Sequence, residues 1–168
     1  MEIKTVIKSQ YLAALEMLKQ VIEKCPESLW ADPVYKNQFW HVAYHMLFYT
    51  HLYLQPTEAD FVPWEKHQEN YNFMGPTPWP PHEPPVIDEP YNREDVLAYV
   101  AHCQAQVKTV VDGLNLEGES GFDWLPMSKL ELQFYSIRHL MLHTGELAER
   151  IGQAADQDVD WVGMIAVD

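Results

Sequence analysis

The stretch FWHVAYHMLFY, residues 39–49, is almost wholly apolar or aromatic, yet it carries His41 and His45 four residues apart. A neutral imidazole removed from water needs a hydrogen-bond partner or a metal for its ring nitrogens. Two of them on one turn of so apolar a segment therefore call for a reason. Phe39, Ala43, Met46 and Tyr53 fall at helical spacing and predict a helix over about 36–54, closed by Pro56. Phe48 and Leu52 carry its apolar surface well past that seam. A helix hydrophobic on several sides is central to a bundle or is covered by another subunit.

Three further segments share the period. Ile7, Tyr11, Ala14, Leu18, Val21 and Cys25 make one stripe that Pro26 ends. Val96, Val100, Cys103, Val107, Val110 and Leu114 make another, with Asn92 as N-cap and acidic residues in the first turn. Leu130, Phe134, Ile137, Met141, Ala148 and Ile151 make the last, after Ser128 and Glu131, which spell a capping box. The expected fold is all-α, a four-helix bundle formed as a single domain over 1–168. The connection between the second and third helices, about 55–91, exceeds the usual bundle loop. Residues 75–90, GPTPWPPHEPPVIDEP, hold seven of the twelve prolines and exclude regular helix there. Trp64, Tyr71, Phe73 and Trp79 predict that this loop packs down, as a functional flap or a surface for a partner.

With 25 acidic against 11 basic residues, the formal charge of -14 repels a phosphate backbone and argues against nucleic acid and anionic membrane surfaces as partners. No basic segment precedes an apolar run at the N-terminus, and nowhere do 18 uncharged apolar residues run together, so a soluble chain is expected. Two cysteines far apart in sequence, Cys25 and Cys103, suit a reducing cytoplasm.

Eight histidines are present, and two pairs share one spacing: His41 with His45, and His139 with His143. Positions i and i+4 lie about 40° apart around a helix, so both imidazoles of a pair can converge on one ion. In projection, however, both pairs flank the apolar seam, as cleft ligands would and as surface residues would too. His51 points away from the 41/45 direction, His67 and His82 lie in the loop, and His102 is isolated on the third helix; these read as solvated or hydrogen-bonded side chains.

The YHMLFY of the second helix, followed some ninety residues later by IRHLMLHTGEL, resembles the DinB/YfiT-like superfamily. Its pattern on the last helix matches Arg138, His139, His143, Gly145 and Leu147 here. The resemblance implies a bundle, commonly a homodimer, with a divalent metal, zinc or nickel, on His45, His139 and His143. His41 could replace His45 or stand beside the site. Leu142 departs from the family, which often has another histidine there.

A three-histidine site leaves a divalent ion with open positions for water or substrate, as catalytic sites do. Such an ion lowers the pKa of bound water or of a substrate thiol. Members of the family include metal-dependent hydrolases and enzymes that use low-molecular-weight thiols such as bacillithiol or mycothiol. The expectation is therefore a metal-dependent enzyme acting on a small molecule, a hydrolase or a thiol-dependent transferase; the alternative is a non-catalytic metal-binding or structural dimer module. No general base stands out. Glu146, one turn beyond His143, could accept a proton or orient a ligand but reads as an exposed helix face; Glu149 with Arg150 reads as solvated surface, and Ser128 as a cap. The surplus apolar surface of the second helix predicts a homodimer.

Overall fold

The periodic stripes become helices where their punctuation said they would. In a computed structural model that describes residues 2–167, α1 (Ile3–Lys24) stops before Pro26, and a one-turn helix α2 (Glu27–Trp30) follows at once. The helix α3 (Phe39–Tyr53) starts a little later than its expected boundary. Residues 31–38 instead form turns, in which the Asp32 carboxylate accepts from the Val34 N–H at 3.0 Å. The helix α4 (Arg93–Val110) opens on Asn92, whose side chain accepts from the Asp95 N–H at 2.8 Å. The last helix, α5 (Lys129–Ala155), opens on Ser128, whose hydroxyl accepts from the Glu131 N–H at 3.1 Å. Replacing either cap by alanine would cost about 1 kcal/mol. The chain is all-α, and among the described residues no helix is long and apolar enough to cross a membrane.

Contacts run in a ring: α1 packs on α4 and α5, and α3 packs on the same two from the other side. One contiguous cluster of buried apolar side chains joins them, from Ile7 to Ile151. The seams of α1 and α4 are those read from sequence. The seam of α5 is not: Phe134 is 56% exposed, and Leu130, Ile137, Met141 and Ala148 are only half-buried. The inner stripe is Leu132, Gln133, Ser136, Leu140, Thr144, Leu147 and Ile151. Three of these are polar, so a search for apolar period finds the neighbouring stripe. Hydrogen bonds explain the burial of two of them: Tyr11 Oη donates to Gln133 Oε1 at 3.0 Å, Gln133 Nε2 donates to the Tyr53 carbonyl at 3.2 Å, and Thr144 Oγ1 to the Leu140 carbonyl at 2.8 Å.

All fifteen residues of α3 except His45 and Tyr49 are buried. Helix neighbours cover part of that surface, and the chain's own loop covers the rest. Trp64 stacks on Tyr99 at 4.5 Å, Phe61 lies edge-on to Phe48 at 5.2 Å, and Tyr71 and Tyr91 close around Trp40 at 6.0 and 5.8 Å. The apolar excess that suggested a subunit contact is thus spent within the chain. The loop is pinned at its start, where Glu58 N–H donates to the Gly121 carbonyl at 3.1 Å. Gly121 has φ +85°, and a β-carbon there would lie 2.1 Å from the Pro56 carbonyl oxygen, so only glycine fits this crossing. After α5 the chain returns along α1, where Lys24, Gln20 and Gln10 donate to the carbonyls of Asp158, Asp160 and Gly163.

Candidate metal centre

Because α3 packs on α5, the two histidine-bearing faces meet. His45 Nε2 stands 3.1 Å from His139 Nε2, and one ring nitrogen from each of His45, His139 and His143 lies within 4.8 Å of the other two. With metal–nitrogen distances of about 2.0–2.1 Å, two imidazoles on one ion have nitrogens about 2.9 Å apart at a right angle and about 3.3 Å apart at the tetrahedral angle. The His45–His139 separation falls between these limits, and with the His143 nitrogen inside 4.8 Å of both the three histidines could hold a borderline divalent ion.

The tautomers follow from the partners. His45 Nδ1 lies 2.7 Å from the Asn72 carbonyl, which can only accept; Nδ1 therefore carries the proton and Nε2 offers its lone pair inward. His143 Nδ1 donates to Glu146 Oε2 at 2.9 Å, which leaves its Nε2 free in the same way. Burial pushes the His45 imidazole down to about 3, and the neighbouring His139 and His143 add to the shift. Burial, then His143, pushes His139 down to about 4. Both rings stay neutral at cellular pH, the state in which imidazole binds metal.

The 41/45 pair does not converge on an ion. His41 is buried against Trp40 and its Nε2 donates to the Tyr71 carbonyl at 2.8 Å, one residue before the carbonyl that holds His45. Successive loop carbonyls therefore take one proton each from successive turns of α3, and His41 anchors the loop without joining the triad. Sequence periodicity could not reveal this, because the partners are backbone atoms of an irregular segment thirty residues away.

Two groups lie at the site besides the triad: Glu146, which the sequence reading set aside as an exposed helix face, and Tyr49, which it did not consider. Glu146 accepts from His143 and also from Arg150 Nη2, so it orients a ligand ring. Arg150 is itself held, with Nη1 donating to the Asn37 carbonyl at 2.9 Å and its guanidinium 4.3 Å above the Tyr35 ring; only Glu149 of that pair is exposed surface. Tyr49 packs against His45 and His139, with ring centroids at 4.9 and 5.9 Å, and its hydroxyl accepts from Asn72 Nδ2 at 3.3 Å. Burial holds that phenol above its ordinary value, so it keeps its proton. Its spacing of four from His45 was the available signal. Gly145 stands in open space, and nothing in the structure explains a glycine there. Cys25 and Cys103 are both buried, their thiols pushed up by burial and unsuited to act as nucleophiles.

His45 and His139 open onto a cleft of about 840 Å³ between α3, α5 and the loop. Phe48, Tyr49, Tyr53, Phe73, Trp79 and Trp124 supply its aromatic walls, and Glu58 and Glu69 are its charged residues. A cavity of about 950 Å³ between residues 57–59 and 117–128 is larger, but no histidine or cysteine lines it. Comparison of the chain with known protein families, with curated proteins and with solved structures found no match in any of the three, so the likeness to DinB-type bundles stands on the residues quoted for it.

Proposed function

We propose that the protein is a metal-dependent enzyme built as a DinB-like four-helix bundle in one domain, with a divalent ion, zinc or nickel, on His45, His139 and His143. The observation that carries this reading is the inward-facing triad, with two of its rings fixed by proton acceptors on their far side, at the wall of an 840 Å³ aromatic cleft. When bound, the ion supplies Lewis acidity toward water or a thiol. The chain's own residues do the rest. Asn72 and Glu146 hold the ligand rings, the aromatic walls exclude water from a bound molecule, and Tyr49 keeps a proton to give to a group that gains negative charge in the cleft.

The cleft narrows the substrate class. Its lining contains two carboxylates and neither lysine nor arginine, so it disfavours phosphates and polycarboxylates and suits a small molecule with a flat apolar body and a neutral or cationic end. Hydrolysis and transfer to a neutral low-molecular-weight thiol are both consistent with this lining. The homodimer expected from sequence loses its motive, since the loop covers the surplus face of α3; sedimentation at micromolar concentration decides it.

Metal analysis of the purified protein beside a His139→Ala/His143→Ala variant tests the reading. One equivalent more of tightly bound zinc or nickel in the wild type than in the variant, while helix content is kept, is the expected result. A wild type that is metal-free and takes up neither ion overturns it. A loaded protein that turns over neither hydrolase nor thiol-transfer substrates favours the non-catalytic metal-binding module instead.

A further inference from the structure

A second pair of histidines meets on the opposite flank of α3, where sequence reading left both as ordinary side chains. His51, near the end of α3, and His102, in the middle of α4, bring their Nε2 atoms to 3.3 Å with the rings 74° apart. The separation matches the roughly 3.3 Å expected for two imidazoles on one tetrahedral ion. His51 is 3% exposed, and its other nitrogen, Nδ1, lies 3.2 Å from the Tyr99 hydroxyl. The two sites share one plan: Nδ1 of the α3 histidine has a hydrogen-bond partner, and its Nε2 faces a histidine of the neighbouring helix.

The pair faces a cavity of about 640 Å³ whose lining includes His51, His102, Asp60, Glu65 and Gln106. Burial pushes the His102 imidazole below its ordinary value, and Glu65 acts electrostatically against that shift. Neither carboxylate is yet drawn in: among the described residues the first triad is the one group of three such ligands within 4.8 Å. Asp60 is held by the Thr57 N–H and hydroxyl, whereas Glu65 occupies an exposed position of the loop, where a side chain reorients at little cost.

We propose that His51 and His102 form a second divalent-metal site, completed by the Glu65 carboxylate and water. Two imidazoles and a carboxylate select zinc, nickel or copper over magnesium and calcium. The ion would clasp α3 to α4 and tie the start of the long loop to both, on the far side of the helix from the cleft. The site does not depend on the first triad being catalytic, or on its holding metal at all.

Chelator-stripped protein titrated with zinc against a chromophoric competitor tests this. Wild type binds two equivalents, His102→Gln binds one, and Glu65→Gln weakens the second equivalent at least tenfold. His102 is partly exposed, so its substitution leaves the core intact, and nitrogen NMR of the ring resonances gives an independent readout: the Nε2 signals of His51 and His102 move as the second equivalent enters. In a His139→Ala/His143→Ala background one equivalent remains and is lost on adding His102→Gln. If His102→Gln binds as many equivalents as wild type, or the two ring signals stay still, the pair is only a neutral hydrogen bond and the proposal is wrong. Loss of metal from the triad variant alone, with one equivalent in wild type, supports the first site and overturns the second.

Discussion

Metal-free protein should lose stability as the pH falls well before its carboxylates titrate. Burial pushes His45 to about 3 and His51 to about 4 in the folded chain, whereas an unfolded histidine titrates near 6.5. At pH 7.5 both states are neutral and the difference is negligible. At pH 5.0 the unfolded chain binds a proton at each position and the folded chain does not, so stability is lost as pH falls below about 6.5. For each group the loss at pH 5.0 is about 1.5 pH units below the unfolded value, or ~2 kcal/mol. The pair costs ~4 kcal/mol, a large part of the ~5–15 kcal/mol typical of a domain. His139, pushed down to about 4, acts in the same direction. Urea unfolding of chelator-stripped protein at half-unit steps between pH 7.5 and 5.0 reads the effect, each such histidine adding a limiting slope of ~1.4 kcal/mol per pH unit. Relief of the acidic chain's self-repulsion works against this trend, and His51→Gln isolates the histidine part: it should lower the slope by ~1.4 kcal/mol per pH unit. A slope that His51→Gln leaves unchanged, or equal stability at pH 7.5 and 5.0, refutes the reasoning.

Glu146→Gln keeps the shape beside His143 but weakens the ligand's orientation and basicity, so metal affinity should fall about 10- to 100-fold by competition titration. Tyr49→Phe should leave metal content unchanged while lowering turnover of any substrate found by at least ~100-fold, the usual worth of a positioned proton donor. His41→Phe removes the donor to the Tyr71 carbonyl and should cost ~1–2 kcal/mol in urea unfolding, with metal stoichiometry unaltered.

How far the sequence could be read depends on which partner a residue uses. The stripes of α1 and α4 were legible because their inner faces are uniformly apolar, and so was the meeting of His45 with His139 and His143, through the spacing and the family likeness. The inner face of α5 was misjudged because it buries the polar Gln133, Ser136 and Thr144, and the hydrogen bonds of Gln133 and Thr144 leave no mark in a hydropathy pattern. The surplus apolar surface of α3 was legible but its cover was not, since a proline-rich loop that lacks helical period still buries Trp64, Tyr71 and Tyr91. His51 and His102 were dismissed singly because α3 and α4 carry one each there, and only packing brings them together.

The Asn72 carbonyl that fixes His45 lies between Tyr71, packed against Trp40, and Phe73, which lines the cleft. On the proposed reading, an ion on the triad and a guest in the cleft would be thermodynamically linked through three residues of backbone. A guest that tightens this segment would strengthen the grip on the ion, and the ion would strengthen binding of the guest by the same factor. Amide exchange at residues 71–73 should slow on metal uptake alone, so that the loop reports the state of the site before any substrate is known.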